Sequence, residues 1–186
     1  LLPQQQWLGR GGPIVVCWRP TPLLQGSDWS PYLEALDQLA AQADREVLWL
    51  PFHREQDRSL LEQFRNEGLI PEALSRRSRQ LQAENPREAM AVFRSSGLVL
   101  AMRLHALILA ALSGAPVSAL SYDPKVKACA DQLRCDALDL ASRSAASDCL
   151  HQWSRSLDQP PQSAVIASIR STLELHRRLL TSALCR

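Results

Sequence analysis

Arg103 and His105 stand one residue apart in "LAMRLHALILAALSG" (residues 100–114), a segment that is otherwise almost wholly apolar. A guanidinium is a permanent cation whose forked N–H groups suit phosphate and carboxylate. An imidazole gains and loses a proton near neutral pH. Here the two lie where an apolar strand pattern ends and an apolar helix pattern begins. A helix N-terminus offers free N–H groups and a partial positive charge, so it too favours an anion. The pattern points to anion binding by Arg103 and acid–base chemistry by His105. A plainer alternative stays open, in which Arg103 pairs with a carboxylate and His105 caps backbone groups.

Three further stretches carry candidates. "CWRP" places Arg19, a second cation, at the end of an earlier apolar run, although an exposed Arg beside a Trp is the ordinary alternative. "PFHREQD" brings His53, Glu55, Gln56 and Asp57 after the next run. His53 is the most reactive candidate of the set, against the ordinary alternative of a solvated loop histidine, and Asp57 reads first as a cap of the following helix and second as a catalytic carboxylate. "SYDPK" holds Tyr122, Asp123 and Lys125. Asp123 and Pro124 make a helix start, and Lys125 in the first turn runs against the helix dipole, which marks it as an anion contact. His151 and His176 fall on terminal helical patterns with no such context. Arg76, Arg77, Arg79, Arg87 and Arg94 form a basic cluster that reads as a solvated face or as an attraction to an anionic membrane surface. No glycine-rich nucleotide loop, serine-nucleophile elbow or zinc-ligand spacing occurs, and no metal is expected.

The elements that must position these residues alternate. Strands are expected at Pro13–Trp18, Glu46–Phe52, Leu98–Met102, Pro116–Tyr122 and Asp136–Leu140. Helices are expected from Ser30 as cap with Pro31 in the first turn, from Asp57 to Gly68, from the Asn85/Glu88 capping box to Gly97, from Arg103 to Gly114, and from Asp123. Residues 76–82 read as either a short edge strand or helix. After Ala141 only helices follow, at Asp148–Leu157 and Pro161–Leu184. Such alternation means a Rossmann-like, doubly wound parallel sheet, an α/β fold whose ligands bind beyond the carboxyl ends of its strands. The arginine and histidine candidates all fall at those ends.

Composition narrows the class. The 186 residues are 46% hydrophobic and 22% charged with a net charge of +2, so a core can form and nothing favours nucleic acid as a partner. Five cysteines, an odd number without CxxC spacing, fit a reducing cytoplasm. The start "LLPQQQWLGRGGP" has no signal-peptide pattern and no initiator Met, and reads as a fragment of a longer chain. Arg103 and the "SGAP" break argue against a membrane span at residues 98–112.

"CWRP", "LPFHREQD", "MRLH" and "SYDPKV" occur in the order found in the polysaccharide pyruvyl transferase family, in particular its CsaB-like cell-wall branch, which Ile14 to Leu133 resembles. The resemblance implies the C-terminal half of a GT-B-like two-domain enzyme. Residues 1–12 would be the linker from an absent N-terminal half, 13–145 the Rossmann-like domain, and 146–186 helices packed on it. The apolar face of the last helix would meet the absent half or support a homo-oligomer. The resemblance also implies transfer of pyruvyl from phosphoenolpyruvate to a sugar of a cell-wall or exopolysaccharide precursor, lipid-linked or free, as a ketal. It implies no cofactor beyond that donor. His105 would be the acid–base residue, with Arg103 and Arg19 as anion clamps and His53, Asp57 and Lys125 as further substrate contacts. The expected location is cytoplasmic or peripheral at the inner membrane face, and the isolated fragment is expected to be inactive. Two readings compete: a GT-B glycosyltransferase or sugar-nucleotide enzyme domain, and a non-catalytic Rossmann-like binding module.

Overall fold

Short β-branched and leucine-rich runs bounded by turns build the centre of the molecule. A computed structural model describes residues 11–171. Its strands are β1 (Ile14–Cys17), β2 (Val47–Trp49), β3 (Ser78–Gln80), β4 (Leu98–Ala101), β5 (Val117–Ser121) and β6 (Ala137–Asp139). They form one parallel sheet in the order β3-β2-β1-β4-β5-β6. The helices are α1 (Ser30–Ala43), α2 (Arg54–Asp57), α3 (Leu60–Asn66), α4 (Glu72–Arg77), α5 (Pro86–Arg94), α6 (Leu104–Leu112), α7 (Pro124–Leu133) and α8 (Ala146–Ser156). Residues 163–171 are also helical. This is the α/β, Rossmann-like, doubly wound fold expected from the alternation.

Every residue of β1, β2, β4 and β5 is buried, as a parallel sheet covered on both faces requires. Alternate residues divide between two cores. Ile14, Val16, Trp18, Trp49, Leu98 and Leu100 face α1, α3, α4 and α8. Val15, Cys17, Leu48, Val99, Ala101 and Ala119 face α5, α6 and α7. In the first core Trp18 stacks on Trp29 at 5.6 Å and meets Trp49 and Trp153 at 5.5 and 6.2 Å. Trp18, the last residue of the expected strand, is 2% exposed because it continues the inward register of Ile14 and Val16.

Several boundaries differ from the sequence expectation. Ser30 is the first residue of α1 and not its cap, because Gly26–Trp29 already coil into a 3-10 turn closed by Gln25 and Asp28. The ambiguous stretch 76–82 is both things: α4 ends at Arg77 and β3 begins at Ser78. Asn85 does cap α5, accepting from the Glu88 N–H at 3.1 Å, but α5 stops at Arg94 and not at Gly97. Gly97 instead leads into β4 and donates its N–H to the Pro13 carbonyl at 2.9 Å. Of the helix expected at Pro161–Leu184, residues 163–171 lie on this domain: Ile166 is buried in the second core and Arg170 donates to the Leu112 carbonyl. The rest of that helix, His176 and most of the linker at 1–12 lie outside the described residues.

The edge opposite the strand ends is closed by a buried cation. Arg45 is 8% exposed, donates to the Gly12 carbonyl at 2.6 Å and pairs with Asp158 at 2.5 Å. Two glycines make room for this approach. A Cβ on Gly12 would lie 2.0 Å from the Ser95 carbonyl oxygen, and one on Gly97 would lie 2.6 Å from Arg45 Nη1. Gly12→Ala is therefore expected to cost about 1–3 kcal/mol, since a backbone atom and not a flexible side chain must move. A lower urea midpoint in Gly12→Ala than in the unsubstituted chain checks this. An unshifted Gly12→Ala midpoint would reject the close approach.

Candidate functional site

The strand order reverses between β1 and β4, where β1 leads outward to β2 and β3 while β4 leads outward to β5 and β6. A parallel sheet opens a crevice at that point beyond its carboxyl edge. Register fixes what stands there. Cys17 pairs with Ala101, and the Met102 N–H extends the ladder to the Cys17 carbonyl at 3.1 Å. Arg19 and Arg103 each follow two residues later, so the two cations leave neighbouring strands, about 4.8 Å apart, at one level.

Each arginine then crosses its neighbour. Arg103, from the end of β4, reaches over β1 to the loop after β2. Its Nε donates to Asp57 Oδ2 at 3.0 Å, and its Nη2 donates to Asp57 Oδ1 and to Gln56 Oε1, the latter at 2.9 Å. Arg19, from the end of β1, reaches over β4 to the residue after β5. Its Nη1 donates to the Tyr122 hydroxyl at 3.1 Å, with the guanidinium carbon 5.0 Å from the centre of the Tyr122 ring. The two bridges interleave over the seam.

Asp57 is the anchor of this arrangement. Its side chain is fully buried, and that of Arg103 is 15% exposed. Besides Arg103, its Oδ2 accepts from the Phe52 and His53 N–H groups at 3.2 and 2.9 Å. The carboxylate is thus engaged by four N–H groups, three on Oδ2 and one on Oδ1. It is not the cap of the next helix that the sequence allowed: Asp57 ends α2, and α3 starts after Ser59. Its role is to hold Arg103. Pairing with a carboxylate, one of the two readings of Arg103, is thus what the structure contains. The Nη1 edge of Arg103 makes no hydrogen bond among the described residues.

The remaining candidates spread along the edge. His105 is exposed on the first turn of α6, with Arg103 as the residue that precedes that helix. It also lines a cleft of about 450 Å³ with Phe52 and Ile108. His53 is exposed and its Nδ1 accepts from the Gln56 N–H at 3.3 Å, which assigns its proton to Nε2. Lys125 is exposed on α7, beyond Tyr122. The Asp123 carboxylate accepts from the Lys125 and Val126 N–H groups at 2.7 and 3.1 Å, so that helix start is already closed. Tyr122 is the member that sequence reasoning did not select. Its only signal was its place immediately after a strand, before the Asp-Pro start of a helix. In the basic cluster Arg76, Arg77 and Arg79 pair with Glu72, Asp44 and Glu46, while Arg87 and Arg94 are exposed on α5. Among the described residues no helix is long and apolar enough to cross a membrane.

The described cysteines are free thiols held in their protonated form by burial. Burial, and secondarily the Asp57 carboxylate, push the Cys17 thiol well above the usual range. Burial likewise pushes Cys135 and Cys149 up to about 12. A raised thiol pKa favours the protonated native state, so the stability it reflects is complete below the unfolded-state value near 9.0 and is lost as pH climbs from there towards 12. The urea midpoint is accordingly expected to fall between pH 9 and 11. The fall should shrink in Cys17→Ala and Cys149→Ala; an equal fall in those variants would assign it to other groups.

Comparison with known proteins follows the same outline. A family model described as polysaccharide pyruvyl transferase matches residues 19–124, which contain Arg19, His53, Asp57, Arg103, His105 and Tyr122. A comparison with curated proteins gives no match. Among solved structures, a glycotransferase of kitacinnamycin is similar over 95% of this chain and 43% of its own, with 14% identity and a TM-score of 0.56. An α,α-trehalose-phosphate synthase (UDP-forming) from Burkholderia vietnamiensis is similar over 94% of this chain and 45% of its own, with 15% identity and a TM-score of 0.55. These likenesses concern the fold, and the chain spans less than half the length of either structure.

Proposed function

The chain belongs to the polysaccharide pyruvyl transferase family, and from that premise we propose that its β1/β4 seam binds phosphoenolpyruvate and serves transfer of the pyruvyl group to a sugar. The observation that carries this reading is the convergence of Arg19 and Arg103 at one level of the sheet edge, beside the first turn of α6 and His105. Phosphoenolpyruvate has a phosphate and a carboxylate. The outer edges of both guanidiniums and the first N–H groups of α6 can take them, with Lys125 as a more distant cation.

The bonds balance as follows. His105 in its protonated form gives a proton to the methylene carbon, which becomes a methyl group, and the neighbouring carbon becomes an oxocarbenium centre. One sugar hydroxyl attacks that centre and returns its proton to His105. A second hydroxyl of the same sugar then displaces phosphate, which leaves carrying that hydroxyl's proton. Products are a cyclic ketal and inorganic phosphate, and no cofactor is consumed. Asp57 acts only by fixing Arg103. His53 stands at the next strand end as a contact for the acceptor, a saccharide of a cell-wall or exopolysaccharide precursor. In this reading the domain is the C-terminal half of a GT-B-like enzyme, works in the cytoplasm or at the inner membrane face, and has an N-terminal domain as its partner.

Titration of phosphoenolpyruvate, followed by amide and side-chain NMR shifts, tests the donor site. Shifts are expected at Arg19, Tyr122 and residues 103–105, and are expected to weaken by roughly tenfold in affinity in Arg19→Ala, the loss of one charge-assisted contact. Preference for UDP over phosphoenolpyruvate would replace this reading by a nucleotide-sugar enzyme.

A further inference from the structure

Tyr122 is half-buried at the carboxyl edge, directly after β5, and its ring packs against both cores. The residues on either side hold its backbone. The Ser121 hydroxyl donates to the Asp123 carbonyl at 3.0 Å, and the Asp123 carboxylate closes the start of α7. A tyrosine turns about two side-chain torsions, so a ring packed in this way leaves its hydroxyl in one place.

That hydroxyl has one bond made and one to give. Its oxygen accepts from Arg19 Nη1 at 3.1 Å, with the guanidinium carbon 5.0 Å from the ring centre. A guanidinium has no acceptor, so the phenol proton is directed elsewhere. Among the described residues no protein group takes it. A cationic N–H on the oxygen also polarises the O–H bond and makes it a stronger donor.

Position decides what the proton faces. Ala119 pairs with Ala101, so Tyr122 stands one residue further out along its strand than Arg103 does on the neighbouring one. Arg19 crosses the end of β4 to reach it, and α6 begins there. Arg103 gives that helix no side-chain cap, so the first N–H groups of α6 are open at the same edge. The phenol O–H joins a set made of donors alone, and a set of donors is satisfied by an anion with several oxygens.

We propose that Tyr122 is a binding residue of the seam: its hydroxyl accepts from Arg19 and gives its own proton to an anionic oxygen of the bound ligand. The inference rests on the pyruvyl-transfer reading for the identity of that ligand, phosphoenolpyruvate. The choice of residue has a physical reason. Asp57 holds Arg103 with a negative charge that is fully buried. A second carboxylate, at the half-buried place of Tyr122, would orient Arg19 and repel the ligand. A neutral group that both accepts and donates orients the cation and attracts the anion.

Tyrosine labelled with carbon-13 at Cζ reports the bond, because the chain has two tyrosines, Tyr32 and Tyr122. Phosphoenolpyruvate added to the 186-residue chain is expected to move the Tyr122 signal and to leave that of the buried Tyr32 in place. This signal is read in the unsubstituted chain and depends on no variant's folding. Tyr122→Phe keeps the ring and loses the hydroxyl. Its affinity for phosphoenolpyruvate is expected to fall roughly tenfold, the loss of one hydrogen bond to a charged group, with an unchanged urea midpoint. Misorientation of Arg19 alone would give the same fall, so the substitution is repeated in Arg19→Ala. There Tyr122→Phe is expected to weaken binding by a further factor of roughly three or more. No further loss in that background would reduce Tyr122 to a positioning residue for Arg19 and overturn the proposal. An unmoved Cζ signal, or a Tyr122→Phe affinity equal to that of the unsubstituted chain, would overturn it as well. Phosphoenolpyruvate binding that ignores Tyr122 defeats this inference alone. Absence of phosphoenolpyruvate binding to the unsubstituted chain defeats the donor reading; a Tyr122 shift with inorganic phosphate would then retain the hydroxyl as an anion donor, and no shift would defeat both.

Discussion

Arg103→Ala is expected to lower the unfolding free energy by about 3–5 kcal/mol, the cost of stranding a buried carboxylate. Asp57 has no exposed side-chain surface, and Arg103 supplies both of its side-chain partners' N–H groups. The Phe52 and His53 N–H groups remain, but they carry no full charge to balance it. For a chain of this length the change should appear as a melting temperature lower by about 10 °C. Replacing both members together, Arg103→Leu with Asp57→Leu, should recover much of the loss, because two apolar groups need no mutual neutralisation. A loss below about 1 kcal/mol in Arg103→Ala would put the pair in the class of exposed ion pairs and remove Asp57 as the anchor of the site. The same variant is expected to lose phosphoenolpyruvate binding. Arg19→Ala is the cleaner test of binding, since Arg19 is held by a neutral tyrosine hydroxyl and a backbone carbonyl, with no buried charge to orphan.

His105→Gln should separate chemistry from folding. His105 is exposed and sits on a helix whose buried face is formed by Ala106, Leu107, Ala110 and Ala111. The substitution is therefore expected to change stability by less than about 0.5 kcal/mol. Turnover, measured as phosphate release from phosphoenolpyruvate in an enzyme that includes the N-terminal partner domain, should fall by about 10²–10⁴-fold. The affinity for phosphoenolpyruvate should change little, because the anion contacts lie on the arginines and the helix N–H groups. Retention of full turnover would assign proton transfer to another group. A proportional loss of donor affinity without loss of kcat would make His105 a binding residue.

The sequence made the fold legible for a simple reason. Parallel strands buried on both faces need short apolar runs, and "IVVC", "VLW", "LVLA" and "VSALS" are such runs, separated by helical periods with Pro, Asn and Asp at their starts. Boundaries were less legible. Ser30 has the chemistry of a cap and Gly97 the chemistry of a stop, yet a 3-10 turn at Gly26–Trp29 already precedes Ser30, and Gly97 is drawn to the sheet by its N–H bond to the distant Pro13 carbonyl. Residues 76–82 carried helix and strand signals together because the element changes within them.

For the site, local sequence supplied the cast. Arg19, His53, Asp57, Arg103, His105 and Lys125 all fall at strand ends or helix starts, positions set by periodicity alone. It could not supply the pairings. Arg103 bonds a carboxylate 46 positions earlier and Arg19 a hydroxyl 103 positions later, and both bonds exist only because the strand order places β4 beside β1 and between β1 and β5. The same order gathers Trp18, Trp29, Trp49 and Trp153 into one core cluster and sets Phe52 against Phe93. What the sequence by itself determined was the α/β alternation and which residue types stand at the sheet edge, since both depend on interactions within a few positions of the chain. What only the tertiary structure decided was that Asp57 is a buried counter-ion and that Tyr122 stands against Arg19, since each depends on which distant strands become neighbours.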